Sequence, residues 1–232
     1  MRQMMKLAIA GVVSLLVLTT GCFRQETLHS LYISPCGGVR WMIVEKDVRS
    51  DASGEEAQRN EEQRWLAQTR NGDHPVAEAF RALGPSSVTW RIVRDTRPFV
   101  VVTEAEFGGI DELGQSFLDQ LGMRGQSELA TADGGFRWTL TVFPSEDQPE
   151  SADDSPVTHL LVDAAESYCI IVEEGRFIDA VGFDLSEGST VARPAERKEY
   201  PKDGTPLVFS LTWRIADEGG AGGETVGFSS PV

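Results

Sequence analysis

The residues best suited to catalysis in this chain are a cysteine and a histidine ten positions apart. Cys169 follows His159 across a predicted helix–strand junction, and Asp163 between them could orient the imidazole. A thiol beside a histidine is the arrangement of a nucleophilic cysteine hydrolase. However, Cys169 precedes an apolar strand, 170–172, where a buried thiol tends to stay protonated and inert. A cysteine hydrolase is therefore the weakest of three hypotheses about function.

Other catalytic patterns are missing from the sequence. The histidines His29, His74 and His159 are isolated, so no helix carries the paired ligands of a zinc protease. Neither Gly-x-Ser-x-Gly nor Ser-x-x-Lys occurs, and the glycine run at 219–223 lacks the lysine of a phosphate-binding loop. We predict no catalytic residue, no metal site and no cofactor.

Four tryptophans lie in strand-like segments of similar pattern. Around Trp41, Trp90, Trp138 and Trp213, apolar residues alternate with mostly polar ones, as in a sheet with one buried face. The simpler interpretation is that the four indoles pack as core beneath the helices. The alternative is that they line a cavity for an apolar ligand between sheet and helices.

The apolar periodicity predicts a single α+β domain over residues 31–216. We expect a largely antiparallel sheet of about seven or eight strands with three or four helices packed mainly on one face. The first predicted strand has two parts, 31–33 and 39–48, broken at 35–38. The other predicted strands are 88–93, 99–107, 127–132, 136–143, 168–173, 177–183 and 207–215, and the predicted helices are 53–70, 76–83, 111–121 and 157–165. Composition predicts a mobile acidic loop at 144–156 and a flexible glycine-rich tail at 217–232.

The first residues have the layout of an export signal. Arg2 and Lys6 precede an uncharged apolar run, 7–18, that is shorter than the roughly 20 residues needed to cross a bilayer as a helix. A basic start, an apolar middle and a small-residue end favour a signal peptide that is removed. The mature chain would then begin near Cys22.

The end of this segment, Leu18-Thr19-Thr20-Gly21-Cys22, resembles the lipobox of bacterial lipoprotein precursors, with Thr19 where that family favours Leu. The resemblance covers about the first tenth of the chain. It implies cleavage after residues 1–21, a diacylglyceryl group on the Cys22 thiol and acylation of the new amino terminus. An ordinary signal peptide cut near Gly21 is the alternative.

The same resemblance implies a location in the cell envelope. In Gram-negative lipoproteins an Asp after the cysteine favours the inner membrane, whereas this chain has Phe23. We therefore expect the periplasmic face of the outer membrane, or the outer face of a single membrane. Two or more acyl chains hold a protein stably on a bilayer. Residues 22–30 would be the lipidated cysteine and a short tether.

The charge of the chain limits its partners. Residues 1–21 contain two basic and no acidic residues, so the net charge of −15 becomes −17 without them. So acidic a surface is repelled by nucleic acid and by anionic headgroups. We expect no nucleic-acid partner, and we expect the lipid on Cys22 to provide the membrane attachment.

Two cysteines lie within the domain, and the sequence leaves their state open. Cys36 and Cys169 are far apart in sequence, and an exported protein meets an oxidising compartment. A disulfide between them would contribute about 4 to 5 kcal/mol. The alternative is two separate thiols that pack as small hydrophobes.

Three functions remain after these considerations. The first is a non-catalytic, lipid-anchored envelope protein whose domain is a binding or assembly module. Its partner would be another envelope protein. The second is a carrier of an apolar ligand in an aromatic-lined cavity. The third is an envelope hydrolase that uses Cys169 and His159.

Overall fold

The computed structural model describes residues 23–132, 134–143, 157, 160, 168–195 and 205–216. Within them the chain forms eleven strands and three helices. The strands are β1 (Phe23–Ile33), β2 (Val39–Ser50), β3 (Ser87–Arg94), β4 (Phe99–Phe107), β5 (Gly125–Ala132), β6 (Gly135–Val142), β7 (Tyr168–Val172), β8 (Gly175–Val181), β9 (Phe183–Leu185), β10 (Val191–Pro194) and β11 (Leu207–Ile215). The helices are α1 (Glu55–Asn71), α2 (Pro75–Ala82) and α3 (Ile110–Gln120). None of these helices is long and apolar enough to cross a membrane.

The strands form two sheets, where the sequence predicted one. The larger sheet has the order β3-β4-β2-β1-β7-β10-β9, and the smaller one has the order β5-β6-β11-β8. The pair β1–β7 is parallel, and the other pairs are antiparallel. The α+β class and the mainly antiparallel pairing are confirmed. A sheet with one apolar face must bury it, and here a second sheet covers what the helices leave open.

The central strand β2 follows the alternation predicted for it. Val39, Trp41 and Ile43 are 3%, 0% and 0% exposed and point to the same side. The pairing of β2 with β4 then shifts after Glu45, and Asp47 has a left-handed φ of 54°. The extra residue of this bulge keeps Val48 on the buried side.

The core lies between the two sheets and beneath the helices. Trp41 from the larger sheet and Trp213 from the smaller one belong to the same cluster of buried residues, which also includes Phe80 of α2 and Leu113 of α3. A separate small cluster of Val48, Leu66 and Phe99, with Phe23 and Trp65 against it, packs α1 onto the sheet end where β1 begins.

The tether predicted at residues 23–30 is instead the first part of β1. Phe23 pairs with Ser50, so β1 is bonded to β2 from its first residue. Its other neighbour, β7, pairs only from His29 onward. The early residues of β1 are therefore mostly exposed, and their polar composition is that of a half-covered strand.

Several predicted segments fall outside the residues that the structure describes. These are the signal peptide with Cys22, the acidic loop at 144–156, most of the helix predicted at 157–165 and the tail at 217–232. The remaining predicted helices correspond to α1, α2 and α3. Strands β9 and β10 were not predicted, because each is too short to show alternation.

Candidate apolar binding site

A cavity of about 320 Å³ lies between the two sheets beside α3. Its described walls are mainly apolar and carry no charge, and their polar side-chain groups are the phenol of one tyrosine and the indole N–H groups of two tryptophans. The lining residues are Leu31, Trp41, Ile110, Leu113, Gly114, Phe117, Trp138, Leu140, Tyr168, Ile170, Phe183, Pro194 and Phe209. Sites for small apolar ligands are clefts of about 300–1,000 Å³ with this kind of lining.

Strand register places the walls opposite one another. On the larger sheet, Leu31 of β1 is the cross-strand partner of both Trp41 and Ile170, so the three side chains form one row. On the smaller sheet, Leu140 of β6 is the partner of Phe209 of β11. Because residues alternate between the two faces of a strand, each row presents its side chains to the space between the sheets.

The cavity has a buried floor and a more accessible rim. Trp41 is 0% exposed and Leu31 4%. Phe117, Phe183 and Phe209 are only partly buried. An apolar molecule could therefore reach the floor from the aromatic rim.

Aromatic contacts hold the floor in place. The Trp41 ring lies 5.1 Å from that of Phe80, 5.5 Å from Phe117 and 5.8 Å from Tyr168, between ring centres. Such edge-to-face and tilted pairs stabilise by about 0.5–1.5 kcal/mol each beyond the area that they bury. Burial also raises the pKa of the Tyr168 phenol, so the group stays neutral.

Two of the four tryptophans proposed for a ligand cavity line it. Trp41 and Trp138 do, and the Trp138 indole donates a hydrogen bond of 3.0 Å to Ser127 Oγ. Trp213 is fully buried and stacks on Phe136, so it is a core residue.

Trp90 lies outside the cavity and is the clearest error in that set. It is only partly buried, on the edge strand β3, with the Arg81 guanidinium 5.4 Å above its ring. The alternation around Trp90 resembles that of the other three, but a local pattern does not show whether helices or a second sheet cover that face, and here the cover is Gly72 and Arg81.

The sequence prediction missed the aromatic residues at the rim. Phe183 and Phe209 belong to the short strand β9 and to β11, and Phe117 belongs to α3. The four-residue spacing of Leu113 and Phe117 had marked an apolar face of α3. Nothing in the sequence indicated that this face borders a space between two sheets.

The two cysteines of the domain are not joined, so the disulfide alternative is wrong. Both are free thiols. Cys169 is the register partner of Ser30 in the middle of β1, whereas Cys36 lies in the turn beyond Ile33 at the end of that strand. This separation along β1 keeps their sulfur atoms apart.

The surroundings of each thiol differ. Cys36 is exposed, and hydrogen bonds from the Ser34 hydroxyl and the Gly38 backbone lower the pKa of its thiol. Cys169 is partly buried, and its Sγ donates to the His29 carbonyl oxygen at 3.4 Å.

The hydrolase hypothesis gains no support from these contacts. No described titratable side chain is hydrogen-bonded to Cys169, whose other contact is the Ser30 hydroxyl at 3.5 Å. His159 and Asp163 lie outside the described residues. Within the described part of the chain, no three acidic, histidine or cysteine side chains are grouped as metal ligands would be.

His29 is a buried polar group next to the cavity floor. It is 1% exposed, stacks on Tyr168 at 5.5 Å and lies 6.0 Å from the Trp41 ring. Neither ring nitrogen has a hydrogen-bond partner among the described residues. Burial lowers the pKa of His29 from 6.5 to about 4, so the imidazole is neutral at physiological pH.

A buried histidine–carboxylate pair lies beneath α1 and α2. His74 Nε2 is 2.9 Å from Glu45 Oε2, and the two side chains are 0% and 4% exposed. The pair joins the residue before α2 to β2, away from the residues that line the cavity. Its position makes it a structural link between helix and sheet.

Comparison with known proteins does not assign a family. No protein-family model and no curated protein matches the chain. Among solved structures, the chain is similar to the NMR structure of the folded domain of the Mycobacterium tuberculosis LppM protein, with 12% identity and a TM-score of 0.30. The alignment covers 84% of this chain and 91% of the other. At this level of similarity the neighbour carries no argument about function.

Proposed function

We propose that this chain is a non-catalytic cell-envelope lipoprotein, anchored through Cys22, whose domain binds one apolar molecule in the cavity between its two sheets. The cavity is the observation that carries the proposal. It combines the binding module and the apolar-ligand carrier that the sequence left as alternatives. The lipobox resemblance supports the anchor.

The dimensions of the cavity suggest the size of the ligand. A cavity of about 150 Å³ in another protein binds benzene, and this one is about 320 Å³. It therefore suits a bicyclic ring or one hydrocarbon chain rather than all the chains of a phospholipid. Each methylene that enters contributes about 0.8 kcal/mol, so about ten of them give about 8 kcal/mol. That corresponds to a Kd of about 1 μM before the cost of ordering the chain.

The lining determines the chemistry of the ligand. A charged group would lose its hydration against these walls without gaining an oppositely charged partner among the described lining residues. The ligand should therefore place a hydrocarbon or aromatic part against Trp41 and Trp138 and leave any polar group at the rim.

A fluorescent apolar probe, N-phenyl-1-naphthylamine, tests the binding site. In the Leu140→Trp variant a larger side chain occupies the cavity, whereas Val208→Trp places the same indole on the exposed side of the adjacent strand. We expect saturable probe binding by the wild type and by Val208→Trp, and binding about tenfold weaker by Leu140→Trp. Circular dichroism of all three proteins checks that the fold is kept.

Two results would overturn the proposed site. One is the absence of saturable fluorescence with the wild type. The other is equal affinity of the two tryptophan variants, since binding would then occur elsewhere on the protein.

The anchor is tested separately. Cells that express the wild type or Cys22→Ala are labelled with a palmitate analogue. We expect label on the wild type only, and equal labelling of both proteins would reject lipidation at Cys22.

A further inference from the structure

The beginning of β1 brings two arginines next to the proposed anchor. Arg24 is two residues after Cys22, and two residues span at most about 7 Å. Arg24 is the register partner of Arg49 on β2. A lipid on Cys22 would therefore hold both guanidinium groups close to the headgroups of the bilayer.

The two arginines face each other across the β1–β2 pair and repel. Directly opposed residues of an antiparallel pair have Cβ atoms about 4.5–5.5 Å apart, and like charges there repel. Both side chains are exposed, and neither forms an ion pair or hydrogen bond with a described residue. They line a surface depression of about 340 Å³ with Ser50, Asp51 and Gln58.

The neighbouring polar groups already have partners. The Ser50 amide donates to Glu62 Oε1 at 3.1 Å, and its hydroxyl donates to Glu61. Gln58 Nε2 donates to the Ala52 carbonyl oxygen at 2.9 Å. The lining side chains themselves, two guanidinium groups and the Asp51 carboxylate, carry one net positive charge. Glu61 and Glu62 lie behind Ser50, and Glu62 is also paired with Arg97 at 3.2 Å.

We propose that Arg24 and Arg49 bind the phosphate of an anionic phospholipid in the membrane that carries the anchor. This inference rests on the proposed lipidation of Cys22. Guanidinium groups bind phosphate through paired, charge-assisted hydrogen bonds. A phosphate between the two arginines would relieve their repulsion and fix the end of the sheet that includes Phe23 against the bilayer, with the acidic remainder of the domain directed away.

The chain contains a matched control for this site. Arg176 of β8 and Arg214 of β11 are also register partners, and both are exposed. Arg176 is three residues after Glu173, whose amide is bonded to the carbonyl of Ile33 at the far end of β1. That end is ten residue steps along the eleven-residue strand from Phe23, about 33 Å at 3.3 Å per step.

Native mass spectrometry of the mature protein, purified from membranes in a nonionic detergent, tests the inference. The protein is titrated with phosphatidylglycerol or with phosphatidylcholine of the same acyl chains, so that any binding of chains in the cavity is common to both. The variants are Arg24→Gln/Arg49→Gln and Arg176→Gln/Arg214→Gln, which change the net charge equally.

We expect the wild type and the control variant to retain phosphatidylglycerol in preference to phosphatidylcholine. The Arg24→Gln/Arg49→Gln variant should bind phosphatidylglycerol about 30-fold more weakly, which corresponds to about 2 kcal/mol for two arginines. Equal weakening in both variants, or no preference of the wild type for the anionic lipid, would overturn the inference. So would displacement of phosphatidylglycerol by an equal concentration of inorganic phosphate, because the site would then bind free anions.

The same spectra report on the anchor independently. An acylated mass without preference for phosphatidylglycerol rejects the arginine site alone. An unacylated mass rejects the anchor and, with it, the membrane position on which this inference rests.

Discussion

Replacing His29 should remove a large part of the sensitivity of the domain to acid. The imidazole is 1% exposed between Tyr168 and Trp41, and its nitrogens have no described hydrogen-bond partner. Burial lowers its pKa from 6.5 to about 4. Above pH 6.5 the histidine is neutral in both the folded and the unfolded chain, so it adds no pH dependence there.

Between pH 6.5 and 4 the two states differ. The unfolded chain takes up a proton that the folded domain does not accept, and the free energy of unfolding falls as the pH falls. At about 1.36 kcal/mol per pH unit over roughly 2.5 units, His29 alone accounts for a loss of roughly 3 kcal/mol. In a domain of ordinary stability, 5–15 kcal/mol, this loss is easily measured.

The assay is urea unfolding of the wild type, His29→Leu and His29→Gln at several pH values from 7.5 to about 4. Neither replacement titrates in this range, and the carboxylates that titrate in all three proteins cancel in the differences. We expect the stability of both variants relative to wild type to rise by roughly 3 kcal/mol toward pH 4. His29→Gln also separates titration from polarity, since it keeps a buried polar group.

A relative stability that stays constant with pH would refute this reasoning. It would mean that the folded domain accepts the proton as readily as the unfolded chain does. The imidazole would then have a partner or access to water that the described contacts lack.

Three further predictions concern other parts of the domain. His74→Leu leaves the buried Glu45 carboxylate without its partner, so it should lower the free energy of unfolding by about 3–5 kcal/mol. Adding Glu45→Leu should recover most of that loss. A cost of His74→Leu below about 1 kcal/mol in urea unfolding would contradict a structural role for the pair. Gly135→Ala directs a methyl group at the backbone oxygen of Trp213 and should cost about 1–3 kcal/mol, whereas Gly188→Ala, in open surroundings, should be near neutral in thermal unfolding. Without reductant, iodoacetamide should label Cys36 in the folded protein, and faster than Cys169; an unlabelled Cys36 in the intact mass would indicate a disulfide.

Local patterns predicted the strands of this fold well. Alternation around Trp41 gave the buried face of β2, and the residue patterns on both sides of Gly134 gave the hairpin of β5 and β6. These features depend on neighbours in sequence. The bulge at Asp47, which keeps Val48 buried, interrupts the alternation and is not visible in it.

Pairing between distant segments was not predictable in the same way. The parallel contact of β1 with β7 joins Leu31 to Ile170, and the choice of β11 as the neighbour of β6 decides that there are two sheets. The residue pattern of β7 does not indicate that it pairs with β1, and that of β11 does not indicate that it pairs with β6. The cavity was therefore anticipated only through its tryptophans. Trp90 was included because its strand has the same alternation, although its side chain lies against Gly72 and Arg81 and not against the second sheet.

A lipid on Cys22, as proposed, would be followed directly by β1, with no flexible segment between the anchor and the domain. Phe23 is already bonded into the sheet, and β1 lies inside it, between β2 and β7. A domain anchored at Cys22 could rotate about the anchor, but it could not extend far from its own bilayer because no linker precedes β1. It would have to collect and release its ligand at the surface of its own membrane, and delivery to another membrane would require a second, diffusible protein.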